Sequence, residues 1–440
     1  MARARAGARL LGAPRTLREE AMSRDTSKPP NGLRVLIVGG GVAGLETMMA
    51  LRAIAEERVD IELVAPEPQF WYRPLAVAEP FAAGHAGAFE LAGVASAYGT
   101  RFTLGALASV EPERHIVRTT NGLELPYDVL VLALGARPEQ ALKEGLTFRG
   151  PADVGAFSRL LFALEEGEAR SLVFAIPSAT AWPLPAYELA LMTAKHLGDR
   201  TDEVRLALVT PERRPLALFG AAASDALERL LEERGIALHA GKHAVAAAGG
   251  ILRLAPTGEL PFDRLVSLPR LRGQPIPGIP HDRHGFVSTD ASGRVRGLDD
   301  VYAAGDITSF PVKQGGLAAQ QADAVAESVA ARAGAPITPQ PFRPVLRGLL
   351  LTGGAPAYLR SEITGGSGEA STVAAEPLWW PPAKIVGRYL APFLAEHVGL
   401  TAASARPADP CAVVVDVALK LATDRAAVEP GSVTSVQGER

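Results

Sequence analysis

Gly39, Gly41 and Gly44 carry the first chemistry legible in this chain of 440 residues. Each has its own physical use. Gly39 suits a tight turn out of a strand, Gly41 leaves the backbone open to a phosphate, and Gly44 lets a helix pack close to that strand. An apolar run over residues 35–38 reads as a buried parallel strand. Leu45, Met48 and Leu51 then follow at helical spacing. The amides that open such a helix, at Val42, Ala43 and Gly44, have no carbonyl one turn back and carry partial positive charge, which suits an anion. Alone the spacing is a weak signal; with a second strand over 61–64 it becomes a βαβ unit able to bind a dinucleotide.

Further along, other residue types fit the same ligand. An acid about twenty residues past the glycines binds ribose hydroxyls. The strand's last position is Ala65, so the nearby acid is Glu67, read either as that ligand or as a solvated turn carboxylate. Arg73, in Phe70-Trp71-Tyr72-Arg73-Pro74, could reach a pyrophosphate, while its aromatic neighbours read as packing. Another buried strand leaves through Gly135, whose turn can lie against a bound ligand. The run Val301-Tyr302-Ala303-Ala304-Gly305-Asp306 delivers a carboxylate at a strand's end. Lys313 and Gly316 follow, then a helix from about Leu317 whose N-terminus favours negative charge.

The elements needed to hold these residues are strands and helices in alternation. Short alternating runs over 101–123, with a turn at Asn121-Gly122, signal a hairpin. A second βαβ unit begins near Ser171, with a helix over about 187–197 stopped by Gly198. Its next strand ends in Thr210-Pro211-Glu212, an echo of Ala65-Pro66-Glu67. Asp225 and Glu228 read as a capping box for a helix ending at Gly235. The stretch 262–266 reads as the return to the first unit. Beyond 342, strands over 345–352 and around Tyr358, a Gly365-Gly366-Ser367-Gly368 loop, Trp379-Trp380 and an amphipathic helix over 384–397 form a third region. The fold class is therefore α/β, two Rossmann-like domains plus a smaller C-terminal α+β region. The boundaries fall at 1–31 (an extension outside the fold, with Met22 an alternative start), 32–150 with 270–340, 151–269, 341–400, and a tail over 401–440 that holds the apolar stretch 412–421.

Composition narrows the function classes. A net charge of -3 gives no reason to expect a nucleic-acid partner. Cys411 is the one cysteine, so an internal disulfide, a CxxC pair and a cysteine metal cluster are excluded, and no metal site is expected. No apolar run is long enough to span a bilayer, so a cytoplasmic protein is expected, with a peripheral contact at the membrane's inner face left open.

Taken together, Gly39–Gly44, residues 127–138 and residues 301–306 resemble the flavoproteins with two dinucleotide-binding domains. These include pyridine nucleotide–disulfide oxidoreductases, type II NADH:quinone dehydrogenases, sulfide:quinone oxidoreductases and flavocytochrome c sulfide dehydrogenase. The resemblance covers roughly residues 33–395 and implies FAD, with its pyrophosphate at the glycine turn and Asp306 on the ribityl chain. It also implies that the helix after Gly316 points its N-terminus at the flavin, with Lys313 nearby. The second unit departs from the nicotinamide-binding pattern. After Ile176 it has Pro177-Ser178-Ala179-Thr180-Ala181-Trp182-Pro183-Leu184-Pro185, with no glycine, and Pro183 and Pro185 remove two amide donors. NAD(P)H therefore stays a candidate donor with its glycine motif missing. The segment looks more like the sulfide-oxidising branch, with Trp182 where a redox cysteine would be. Trp182 is then either core packing or a wall of the substrate pocket. Glu188 aligns with an acid near the flavin, as a proton relay or a buried paired carboxylate. The implied activity is FAD-dependent transfer of two electrons from a small donor to a quinone or other acceptor, with Lys313, Glu188 and Trp182 in catalytic positions. The rival reading is a flavin-binding electron-transfer subunit without turnover of its own. A homodimer, and a membrane contact through Trp379, Trp380 and the 384–397 helix, are carried as expectations on partners.

Overall fold

The computed structural model describes residues 32–364 and 368–397. The expectations placed on 1–31, on Gly365-Gly366-Ser367 and on the tail with Cys411 and 412–421 lie outside the described residues. Strand β1 (Leu33–Val38) enters helix α1 (Val42–Ala55), followed by β2 (Val59–Ala65), β3 (Arg101–Leu104) and β4 (Val129–Leu132). With the later strand Val301–Ala303 they make a parallel sheet, in the order Val301–Ala303, β4, β1, β2, β3. The inner strand β4 is apolar on both faces because both are covered, and it is buried along its whole length. Strand order reverses at β1, whose C-terminal end opens the crevice where ligands of such sheets bind.

The three glycines at that end do three different things. Gly39 has φ +125°, and a β-carbon there would sit 2.1 Å from the Ala133 carbonyl oxygen. A β-carbon on Gly44 would sit 1.8 Å from the Gly39 carbonyl oxygen, so α1 packs onto its own turn. A β-carbon on Gly41 would meet no atom within 4 Å. Helix α1 is apolar nearly all round, with Met48, Met49 and Leu51 each buried. Burying such a side chain is worth about 1.5–3 kcal/mol.

The second sheet is also parallel. It comprises β5 (Leu146–Thr147), β6 (Ser171–Ala175), β7 (Arg205–Val209), β8 (Ile236–His239) and β9 (Arg264–Ser267), in the order β5, β9, β6, β7, β8. Helix α2 (Leu184–Leu197) follows β6 and stops at Gly198, φ +55°. Helix α3 (Ala221–Glu233) follows β7. Two sequence readings change here. Residues 264–267 are an inner strand of this sheet rather than the return to the first, because Leu265 and Val266 are buried between its layers. Asp225 lies inside α3, and with Glu228 it grips the Arg214 guanidinium instead of capping the helix.

After β10 (Val301–Ala303), helix α4 (Gly315–Arg332) runs against α1. Strands β11 (Arg347–Leu350), β12 (Ala357–Thr364) and β13 (Gly368–Ala374) form an antiparallel sheet, and α5 (Leu390–His397) closes the described chain. The Asn121-Gly122 turn is present, joining Ile116–Thr119 to Glu124–Pro126. The helix expected over 384–397 starts only at Leu390. The residues before it give their amides to side chains: Ile385 to the Tyr72 hydroxyl at 3.1 Å, and Tyr389 to Glu46 at 2.8 Å. Trp379 is buried, edge-on to Tyr358 at 5.1 Å, and Leu390, Ala391 and Leu394 of α5 are buried as well.

Because backbone fills the space at Gly44, Gly44→Ala should destabilise the ligand-free protein by about 1–3 kcal/mol or more. Gly41→Ala, facing open space, should cost less than about 1 kcal/mol, the price of a poorer N-cap. Urea denaturation midpoints of the two variants check the contrast, and equal midpoints would contradict the packing described.

Candidate functional site

Two motifs far apart in sequence meet at the crevice. Strand β10 ends beside β4 and turns at Gly305, φ +79°, where a β-carbon would lie 3.0 Å from the β-carbon of Ala43 in the glycine turn. The turn is fixed from inside: the Gly305 amide donates to Gln321 Oε1 at 2.7 Å, and the Thr308 hydroxyl donates to the Gly305 carbonyl at 2.9 Å. Asp306 follows at once.

Asp306 lines a cavity of about 300 Å³ together with Arg73, Lys313, Trp182 and Glu188. Its walls come from the start of α2, the start of α4, strand β11 and the segment carrying Lys384 and Ile385. Val77, Phe148, Leu184, Leu268 and Leu271 make much of the surface apolar. Burial pushes the Asp306 carboxyl above its ordinary range, and Lys313 and Arg73 draw it partly back. Burial also lowers Lys313, to about 8, against the pull of Asp306 and Asp282. The Lys313 ammonium donates to the Thr308 carbonyl and lies 4.2 Å from the centre of the Phe286 ring. It is thus a fixed cation, charged at neutral pH and close to titrating.

Glu188 is paired with Lys384 at the cavity wall. It is fully buried, accepts from Lys384 Nζ at 2.6 and 2.7 Å, and takes the Leu351 amide at 2.9 Å. Burial pushes its carboxyl upward, Lys384 and the Leu351 amide oppose that, and the net direction is up. Trp182 lines the cavity and packs edge-on to Phe219 at 5.9 Å.

The loop after β6 is closed upon itself and its neighbours. Ser178 Oγ lies 2.8 Å from His243 Nδ1, Ala179 has φ +63°, and the Ala181 carbonyl accepts from the Lys313 amide at 3.4 Å. Glu212, the strand-end acid of this unit, turns inward, where the Tyr187 hydroxyl donates to it at 2.6 Å and the Thr210 hydroxyl at 3.1 Å. Burial raises the Tyr187 phenol, which keeps its proton and donates; burial also raises the Glu212 carboxyl, and the Tyr187 and Thr210 hydroxyls oppose that.

Of the residues singled out from sequence, Arg73, Trp182, Glu188, Asp306 and Lys313 share the cavity. Val42, Ala43, Gly44 and Gly305 share the glycine turn's neighbourhood. Gly135 has φ +69° and open space where a β-carbon would point. Glu67 is exposed in the turn after β2 and outside the cavity lining. Gly316 packs against the Gln314 side chain, and the Leu317 amide, expected to face a ligand, donates to Gln314 Oε1 at 2.9 Å because Gln314 caps α4. Sequence reasoning missed Gln314, Tyr72 and above all Lys384. The last follows Pro381-Pro382 with nothing to tie it to an acid 196 positions away.

Comparison with known proteins agrees with this architecture. A family model described as pyridine nucleotide-disulphide oxidoreductase matches residues 8–159 and 186–327. The sulfide-quinone reductase of Aquifex aeolicus (strain VF5) is 28% identical over 209 residues, 45% of this chain and 47% of that protein. The seedling isozyme of monodehydroascorbate reductase from Cucumis sativus is 33% identical over 112 residues, 26% of this chain and 24% of that protein. The matched stretches thus span about half or less of these curated relatives. The X-ray structure of the Aquifex aeolicus sulfide:quinone oxidoreductase superposes with a TM-score of 0.72 at 18% identity, covering 86% of this chain and all of that one, a likeness of fold.

With side chains 7% and 0% exposed, Lys384 and Glu188 form a buried pair. Lys384→Met should therefore cost about 3–5 kcal/mol, and adding Glu188→Gln should recover much of it. The raised carboxyl of Glu188 sets the sign with pH. Stability tied to its proton is full in acid and lost as pH rises through its folded value, so the Lys384→Met deficit should shrink toward acid pH. A denaturation double-mutant cycle at two pH values checks both, and an additive cycle would refute the pairing.

Proposed function

The chain belongs to the pyridine nucleotide-disulphide oxidoreductase family, and on that premise we propose that it is an FAD-dependent oxidoreductase. It passes two electrons from a small reductant to a small oxidant, with a quinone the favoured acceptor. The observation that carries this reading is the meeting of Gly305-Asp306 with Ala43 in the glycine turn. The fit to the cofactor rests on Gly41: its open side leaves a cradle that any β-carbon would begin to fill, while Gly39 and Gly44 are closed by backbone. In this reading residues 32–150 with 270–340 form the cofactor-binding unit and 151–269 a second Rossmann-like unit.

The amides of Val42, Ala43 and Gly44 would hold the pyrophosphate with Arg73, and Glu67 and Asp306 would take hydroxyls at either end. Gly135 and Gly316 would give close approach, and Leu317, its amide engaged by Gln314, would contribute packing only. When bound, FAD supplies the two-electron redox chemistry. The chain's own residues do the rest. Lys313, charged below about pH 8, favours negative charge at the mouth of α4. Glu188 and Lys384 hold protons at the cavity wall. The apolar lining and Trp182 limit access to small, largely apolar molecules. The relatives named for quinone reduction support the quinone acceptor.

Pro183 and Pro185 remove amides where a second pyrophosphate would bind, and Glu212 is engaged by Tyr187. Nicotinamide in the usual mode is therefore disfavoured. A cysteine pair cannot act either, since Cys411 is the chain's one cysteine. A rimmed cavity with its own proton-holding pair supports turnover over a purely electron-carrying subunit.

The purified protein should be yellow and hold FAD without a covalent bond. Gly41→Val should lose most of the flavin, read by absorbance, while melting like the wild-type apoprotein; full flavin content in that variant would sink the assignment. Anaerobic stopped-flow mixing with NADH and NADPH should reduce the flavin slowly and without saturation, and Trp182→Ala should speed it. Rapid, saturable reduction of the wild type at micromolar NADH would refute the lost-site argument. No gain from Trp182→Ala would remove Trp182 as the gate.

A further inference from the structure

A second buried acid cluster lies where α1, α4 and the start of α5 meet. Glu46, on α1, is fully buried. It accepts the Tyr389 amide at 2.8 Å and the Leu390 amide at 2.7 Å, so one carboxylate anchors the N-terminus of α5. The approach is close enough that a β-carbon on Gly387 would lie 2.5 Å from Glu46 Oε2. Asp323, on α4, hydrogen-bonds Glu46, and its Oδ1 has no partner among the described residues. Two carboxyls in contact and out of water cannot both be charged without mutual repulsion. Just before the anchored amides of Tyr389 and Leu390 come Lys384 and Ile385, which line the cavity.

We propose that Glu46 and Asp323 share a proton as a latch on residues 387–390, and that loss of this proton loosens the segment carrying one wall of the cavity. The surrounding charges set the direction. Burial first, then Glu46, pushes Asp323 up to about 8; Glu327 adds to the push and Arg388 opposes it. Arg388 is itself held by Glu327 at 3.4 Å. Tyr389 and Tyr98 also face the pair, and both are raised by burial and remain neutral. Glu396 reaches Tyr98 and adds negative charge on the α5 side. Asp323 is raised from an ordinary 3.8, so the latched form keeps a proton that the released form gives up. The latched fraction is therefore favoured in acid, falls as pH rises from the ordinary carboxylate range to about 8, and then levels off.

The test does not depend on the flavin. Hydrogen exchange of the 387–390 amides in the full-length protein is followed by mass spectrometry from pH 5.5 to 8.5, each rate divided by its intrinsic rate at that pH. Protection should fall with pH, by up to about tenfold per unit for one linked proton, and flatten near the upper end. Asp323→Asn should raise protection at the upper end and flatten the slope, leaving only what the Glu46 carboxyl, itself raised by burial, contributes, and Gly387→Ala should lower protection at every pH by wedging the latch. A wild-type profile independent of pH overturns the proposal, as does an Asp323→Asn protein that keeps the wild-type slope. If Asp323→Asn does not fold, the wild-type profile alone decides.

Discussion

Helix α1 reaches its position because a hydrogen atom, not a methyl group, faces the Gly39 carbonyl at Gly44. A β-carbon there would stand 1.8 Å from that oxygen, well inside any van der Waals contact. The close approach aims the helix's opening amides into the crevice beyond β1 and brings Ala43 against Gly305. It also places the buried side of α1 on α4 and α5, whose apolar residues join one core with Met48, Met49 and Leu51. If the helix stood farther from its strand, the glycine turn and the Asp306 turn would separate, and Glu46 could not reach the chain at Tyr389.

Around this scaffold the protein keeps several charges out of water. Lys313 lies against a carbonyl and an aromatic face, Glu188 against Lys384, and Glu46 against Asp323 and two amides. Burying charge is costly unless it is paired or hydrogen-bonded. Each cluster therefore ties distant segments together: α2 to residue 384, and α1 to α5. Both ties fall on the stretch 384–390, which gives up helical hydrogen bonds to make them. That exchange explains why α5 begins late.

The second sheet repeats the first in outline and differs where a ligand would bind. Its strand-end acid bonds a tyrosine of its own first helix, and its loop closes onto His243 and Lys313. A turn without glycine is bulkier, and proline at the helix start withdraws amides that an anion needs. The same architecture thus offers an open anion cradle in one unit and an internally satisfied surface in the other.

The sequence by itself determined the first βαβ unit, because Gly39 and Gly44 meet backbone demands that no other residue meets, and periodicity marks the buried strands around them. It also determined that cysteine chemistry is absent and that the second glycine motif is missing. Asp306 was singled out from its place at a strand's end, and Lys313 and Trp182 through the family resemblance; the three line one cavity. Only the tertiary structure decided which alternatives held. It gave Glu188 a partner in Lys384, gave the Leu317 amide to Gln314, and kept 264–267 in the second sheet. It also used Asp225 to grip an arginine and unwound 384–389 to serve Glu46, Tyr72 and Glu188. The reason is the same in each case: local pattern records what a segment prefers when its own amides and neighbours are all it has. A buried charge hundreds of residues away offers a stronger bond than the next turn of helix, and it leaves no periodic mark in the chain.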